Sequence, residues 1–235
     1  MGLKLGLPSK GRLQQQVIDW LAQGGVQVER STSEREYSGR VMGVEGVELV
    51  LLSAGEIPNE LAAGRIHVGV TGLDLVRERL PADAVQEIAP LDLGHATLVI
   101  AVPDAWIDVR TLDDLDAVCG QFRLAHGHRL RIATKYHTLV RQKLSSFGVA
   151  DYQLVDSQGA TEGTVKNGTA EAVADITSTG DTLRANHLRI LDDGEILRSE
   201  AWAFSATAAN WDAAAKSGLA ALSAKLGWDQ KPTSA

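Results

Sequence analysis

Strand-like and helix-like segments alternate along this chain, and that alternation limits its fold more than any other feature. Leu3–Leu7 reads as a short strand, followed by a Pro8-Ser9-Lys10-Gly11-Arg12 turn. An amphipathic helix follows around Leu13–Gln23, with Val17, Ile18 and Leu21 on one side. Val47–Leu52 is a second strand, Glu56–Ala63 a short helix opened by Ile57-Pro58, His67–Thr71 a third strand, and Leu73–Arg79 a helix after Gly72. Strand, turn and helix in repetition predict parallel strands joined by crossover helices. After the apolar strand Ala96–Val102 and Pro103 the pattern restarts. A helix begins at Leu112–Leu115, then come strand Arg131–Thr134, helix His137–Phe147, strand Gln153–Val155, a short helix or turn at Thr161–Gly168 and strand Glu171–Ile176. Leu188–Leu191 and Ser199–Phe204 read as return strands around an Asp192-Asp193-Gly194 turn. An Ala-rich helix near Asn210–Leu226 sets Leu219, Leu222 and Leu226 on one face.

These 235 residues have room for one large domain or two lobes of about 100 residues each. We read an α/β fold of two successive units with the second inserted into the first. Lobe I is 1–94 plus 189–235 and lobe II is 95–188, with a cleft between them. Open α/β sheets bind ligands at the carboxyl ends of their strands. The loops after Leu7, Thr71, Thr134 and Ile176 are therefore where a site is expected.

The richest of those loops is Thr177-Ser178-Thr179-Gly180-Asp181-Thr182, after the apolar run Ala174-Asp175-Ile176. Four hydroxyls surround a glycine at the end of a strand and the start of a helix. Converging N–H groups, hydroxyl donors, a close backbone approach at Gly180 and the positive helix end together suit a phosphate. A plain helix N-cap is the other reading, but a cap needs one such residue. No Gly-x-x-x-x-Gly-Lys-Ser/Thr run occurs.

Other positions carry weaker signals. Asp175 and Glu162 suit hydrogen bonds from ribose hydroxyls, or are a strand-end and a helix-start carboxylate without a task. Lys10 and Arg12 put two cations at the end of the first strand, or form a solvated turn. Arg35 and Arg40 lie in a polar loop, Ser31–Gly43, where they would reach a pyrophosphate or simply be exposed. Lys135-Tyr136-His137 follows a strand, so Tyr136 would stack on a base and Lys135 meet a phosphate. His126-Gly127-His128 lacks partner ligands at useful spacing, and no Gly-x-Ser-x-Gly nucleophile motif occurs.

Net charge is −7, and no basic block is present, which argues against nucleic acid or an anionic membrane as partner. A phosphate is then held by local N–H groups and a few placed cations. The single cysteine, Cys119, permits no intramolecular disulfide and reads as a small core residue in a reducing compartment. The N-terminus lacks the apolar run of a signal peptide, and no segment approaches a membrane span. The expected location is the cytoplasm.

Taken together, several motifs resemble one family. Leu7-Pro8-Ser9-Lys10-Gly11-Arg12-Leu13, Glu56-Ile57-Pro58, Val68-Gly69-Val70-Thr71-Gly72-Leu73-Asp74-Leu75, Arg131-Ile132-Ala133-Thr134-Lys135-Tyr136, and Glu162-Gly163 with Ala174–Asn186 follow in order over nearly the whole chain. This set resembles the ATP phosphoribosyltransferases of histidine biosynthesis. The resemblance implies a bilobal fold like that of type II periplasmic binding proteins. It implies transfer of phosphoribosyl from phosphoribosyl pyrophosphate (PRPP) to N1 of ATP, releasing pyrophosphate, with Mg²⁺ and with no metal ligand assigned on the protein. On the matched positions Thr177, Ser178, Thr179, Gly180, Asp181 and Thr182 would cradle the 5′-phosphate, with Glu162 and Asp175 facing the ribose. Lys10, Arg12 and Arg35 would serve the leaving pyrophosphate, and Lys10, Thr71, Gly72 and Tyr136 would serve ATP. The chain stops soon after the Ala-rich helix, as in the short form of the family. That form implies a regulatory partner resembling histidyl-tRNA synthetase and a homodimer within a hetero-oligomer. One departure stands out. Ser53 occupies a position where many members carry Arg, and Arg35 or Arg40 is the expected replacement.

The chemistry asked of these residues is mostly positioning and neutralisation of a leaving group. Three other readings compete: a non-catalytic bilobal solute-binding protein, a phosphoribosyltransferase with a different base acceptor, and a structural subunit. The first is exported in its usual setting, and retention of Lys10, Gly180 and Thr182 argues against the last.

Overall fold

The computed structural model describes residues 2–30, 38–157 and 159–228. The chain divides into two compact units, Met1–Gly94 with Glu200–Ala235, and His95–Ser199. In chain order the first unit supplies β1 (Leu3–Pro8), α1 (Arg12–Gln23), β2 (Gln27–Arg30), β3 (Ser38–Met42), β4 (Val47–Leu52), α2 (Ile57–Ala62), β5 (Val68–Gly72), α3 (Leu73–Arg79) and β6 (Val85–Pro90). The second supplies β7 (Ala96–Pro103), α4 (Leu112–His126), β8 (Leu130–Thr134), α5 (His137–Ser146), β9 (Tyr152–Asp156), α6 (Gly163–Lys166), β10 (Ala172–Thr177), α7 (Asp181–Ala185) and β11 (Leu188–Ser199). The chain then returns to the first unit as β12 (Ala201–Ala206) and α8 (Ala213–Leu226).

The first unit holds a seven-stranded sheet in the order β2-β3-β4-β1-β5-β12-β6. Its centre is parallel, with β4 and β5 flanking β1. The flanks are antiparallel. Alternation along β1 sends Leu3, Leu5 and Leu7 into a core shared with Val17 and Leu21 of α1 and Leu222 of α8. The other face packs Ile57 and Leu61 of α2 with Ile66 and Phe204. Gly6 and Gly69 are paired neighbours on that face. A Cβ on Gly6 would lie 2.6 Å from Ile66 Cδ1, and one on Gly69 would lie 2.6 Å from Ile57 Cγ2. The two glycines make the flat patch on which α2 sits.

The second unit holds a five-stranded sheet, β11-β7-β10-β8-β9. Strands β9, β8 and β10 are mutually parallel, and β7 runs antiparallel to both β10 and β11. Helix α4 buries Leu112, Leu115 and Cys119 on one stripe. A reciprocal Thr111/Asp114 capping box starts it, and Gly127 in the left-handed region ends it. His126 is the last residue of this helix.

Three sequence expectations change here. The Asp192-Asp193-Gly194 run is not a hairpin turn. It is a bulge inside β11, where the pairing with β7 shifts register between Ile190 and Glu195. Asp193 Oδ1 accepts the Leu112 N–H at 2.9 Å, which bends the strand toward the start of α4. The crossing back to the first unit therefore falls at Ser199/Glu200 and not at 188/189. Part of the Ser31–Gly43 segment, read as a polar loop, forms β3 between β2 and β4.

Candidate active site

In the second unit the carboxyl ends of three adjacent parallel strands carry the expected groups: β9 leads on to Glu162, β8 to Lys135, and β10 to Asp175 and the 177–182 loop. Gly180 sits at φ 76°, ψ 0°, where a side chain is strained, and an added Cβ would lie 2.9 Å from Arg184 Nη1. The Gly180 N–H donates to Thr177 Oγ1 at 2.9 Å. The Ser178 hydroxyl donates to the His95 carbonyl at 3.0 Å. The Thr179 hydroxyl donates to Asp181 Oδ2 at 2.6 Å. Thr177 and Thr179 thus fold the loop itself and Ser178 ties it to His95, whereas the exposed Thr182 hydroxyl has no partner among the described residues. Helix α7 leaves its first N–H groups without intrahelical acceptors.

Asp181 was expected among the phosphate ligands. Its carboxylate can only accept, and the Thr179 hydroxyl and then Arg184 lower its pKa from the ordinary value. Its backbone N–H donates to Thr179 Oγ1 at 3.3 Å, so the amides that follow it in α7 are the ones that suit a phosphate. Arg184 was missed by the sequence reading. Its Nη2 donates to Asp181 Oδ1 at 2.5 Å and to the Thr179 carbonyl at 2.9 Å. The i,i+3 spacing from Asp181 was the available signal. A cavity of about 480 Å³ borders the loop at Gly180, Leu183 and Arg184.

Tyr136 departs from expectation. It is 1% exposed, it N-caps α5, and its N–H donates to the buried Thr134 hydroxyl at 2.9 Å. Its ring belongs to the core and offers no face to a base. Glu162 is half-buried at the start of α6.

In the first unit, β1, β4 and β5 likewise end side by side. Lys10 and Arg12 are exposed at the β1–α1 turn, where Gly11 has φ 83° and the first turn of α1 holds no acidic residue. The Ser53 N–H donates to Glu56 Oε2 at 2.9 Å. That turn, with a smaller contribution from Lys10, lowers the Glu56 pKa. Thr71 is fully buried, and its hydroxyl donates to the Ala54 carbonyl at 2.9 Å. It shapes the turn after β4 and is closed to a ligand. Gly72, half-buried, opens α3.

The structure also brings to the turn after β4 a cation that the sequence did not single out. Arg40 pairs with Glu48 in the ladder, four residues and about 13 Å of strand away from Leu52. Arg35 lies outside the described residues. Arg79, at the end of α3, places Nη1 2.6 Å from the Gly55 carbonyl, two residues from Ser53. No local pattern signals this contact, since it joins positions far apart in sequence.

Comparison with known proteins defines the class. A family model described as ATP phosphoribosyltransferase matches residues 53–226. An ATP phosphoribosyltransferase of Cereibacter sphaeroides is 65% identical over 97% of this chain and 97% of its own length. Another, from Rhodopseudomonas palustris, is 48% identical over 89% of this chain, which spans only 65% of that relative. The chain belongs to the ATP phosphoribosyltransferase family. Among solved structures, the ATP phosphoribosyl transferase (HisG:HisZ) complex from Thermotoga maritima superposes with a TM-score of 0.67 at 24% identity, over 87% of each chain. An ancestral amino acid-binding protein superposes at 0.53 and 15% identity, over 96% of this chain and 86% of its own. The fold is thus the mixed α/β type shared with type II periplasmic binding proteins.

Proposed function

We propose the following division of labour for the ATP phosphoribosyltransferase reaction, the first step of histidine biosynthesis, in this chain. The 177–182 loop seats the 5′-phosphate of PRPP through the amides at the start of α7 and the Thr177 and Thr182 hydroxyls. Asp175 and Glu162 receive the ribose hydroxyls. Lys10 and Arg12 neutralise the departing pyrophosphate while N1 of ATP attacks the ribose C1. Gly72 and Lys10 border the ATP. Arg79 adds a cation beside Ser53, together with Arg35 of the 31–43 segment. The observation that carries this reading is the Gly180-centred loop at the carboxyl end of β10 in a member of this family.

Mg²⁺ requires hard oxygen donors and keeps most of its waters. The Glu162 carboxylate, half-buried at the start of α6, is a donor of that kind, so Mg²⁺ would be held there together with substrate phosphates. When bound, it would supply charge neutralisation on the pyrophosphate. We place the chain with the short form of the family, acting in the cytoplasm as a homodimer with a histidyl-tRNA-synthetase-like regulatory subunit. Support comes from the relative matched over 97% of both lengths and from the two-component composition of the Thermotoga maritima neighbour.

The test pairs the acceptor with the cation. ATP, and not free purine or pyrimidine bases, should yield phosphoribosylated product. Lys10→Ala should lower kcat by about 10²-fold while changing the PRPP Kd far less. Product with a free base, or equal losses in kcat and binding, would contradict this division.

A further inference from the structure

Lys135 and Asp175 are made neighbours by strand register. Ala174 of β10 pairs with Thr134 of β8 in the parallel ladder, so the next residue of each segment lies alongside the other. Lys135 Nζ is 3.2 Å from Asp175 Oδ1, and the Ile176 N–H donates to that same oxygen at 2.8 Å. Two donors therefore hold Oδ1. Oδ2 has no protein partner among the described residues, and it is absent from the buried side-chain atoms left unsatisfied. It opens to solvent from a side chain that is only 13% exposed. Asp175 and Thr177 alternate onto one face of β10, about 6.6 Å apart. That separation is the length scale of a furanose ring and its exocyclic carbon.

We infer that Lys135 is a positioning residue for sugar recognition. By occupying Oδ1 it fixes the Asp175 carboxylate with Oδ2 presented to the ring hydroxyls of a ribose 5-phosphate moiety. This rests on the reading of Asp175 and the 177–182 loop as the ribose-phosphate seat. The pair also keeps a mostly buried carboxylate from standing alone. Lys135 had been expected to meet a phosphate directly. The ion pair turns it toward the carboxylate instead, with its ammonium 5.4 Å from the centre of the Tyr136 ring.

The experiment measures binding of ribose 5-phosphate and of tetrahydrofurfuryl phosphate, which keeps the phosphate and the ring but lacks the ring hydroxyls. Calorimetry on the full chain serves for wild type, Lys135→Gln, Lys135→Arg, Asp175→Asn and the Lys135→Gln/Asp175→Asn double variant. Wild type should prefer ribose 5-phosphate by about tenfold, the worth of one charge-assisted hydrogen bond. Lys135→Gln should reduce that preference to about twofold or less, while tetrahydrofurfuryl phosphate, which meets only the uncovered Asp175 charge, weakens by less than ribose 5-phosphate and by its retained binding reports an intact fold. Lys135→Arg should restore most of the preference, and Lys135→Gln should add nothing in the Asp175→Asn background. Equal loss of both ligands would make Lys135 a direct phosphate contact and overturn the inference, as would an undiminished preference in Lys135→Gln. Wild type binding both ligands without preference would remove the role of Asp175 and the inference with it. Wild type binding neither ligand would instead refute the phosphate seat on which the inference depends.

Discussion

In the proposed phosphate loop the Arg184 guanidinium sets the local charge. It neutralises Asp181, the one carboxylate in the loop, and ties down the Thr179 carbonyl. Arg184→Gln should weaken PRPP binding by roughly tenfold, and adding Asp181→Asn should recover most of that, because the unpaired like charge is then gone. A double variant as weak as Arg184→Gln alone would show that only the staple matters. Cys119 gives a second prediction. Burial, with help from Asp116 and Asp151, pushes its thiol up to about 12. The native chain should resist iodoacetamide at pH 8 and react once unfolded. Above about pH 9 the unfolded chain loses the thiol proton while the native chain keeps it, so stability should fall as pH rises toward 12. Denaturant titrations at pH 8 and pH 10, compared with Cys119→Ala, check the sign. At this scale the sequence exposed chemistry but not burial. Thr71 and Tyr136 have the right residue types at strand ends, yet both are sealed in the interior. Whether a strand-end side chain turns inward depends on neighbours that no local pattern contains.

Elements built from short-range rules were the legible ones. Period-2 and period-3.6 patterns place β1, β4, β5, β7, β8 and β10 and the helices between them. The Thr111/Asp114 box should make α4 sensitive to Thr111→Ala by about 1 kcal/mol in urea unfolding. Elements set by long-range pairing were not legible. β3 exists because β2 and β4 flank it, and β6 because β12 returns to pair with it. The twelve-residue β11 looked like half a hairpin because Asp192-Asp193-Gly194 is turn chemistry, and a bulge uses the same residues. Packing makes its own prediction at this scale. Gly69→Val would drive a branched side chain into Ile57 and Leu61 of α2 and should cost about 1–3 kcal/mol, read as a lowered urea midpoint at unchanged slope.

For the whole molecule, the charge balance and the two α/β units were readable from the chain, and so was the family, because its motifs recur in order from β1 to α7. Each unit ends its parallel strands in one half of the proposed chemistry, phosphate and ribose in the second unit, cations in the first. PRPP should raise the thermal midpoint of the native chain, by about 2.7 kcal/mol of stabilisation at a hundredfold excess over Kd, and Gly180→Trp should abolish that shift. The most direct test is mass-spectrometric detection of phosphoribosyl-ATP from ATP, PRPP and Mg²⁺ with the chain, alone and with the proposed regulatory subunit, set beside the Gly180→Trp variant. Product and stoichiometric pyrophosphate are expected with the native chain and neither with the variant. Product from the variant, or PRPP bound with no transfer to ATP by the native chain, would contradict the proposed function.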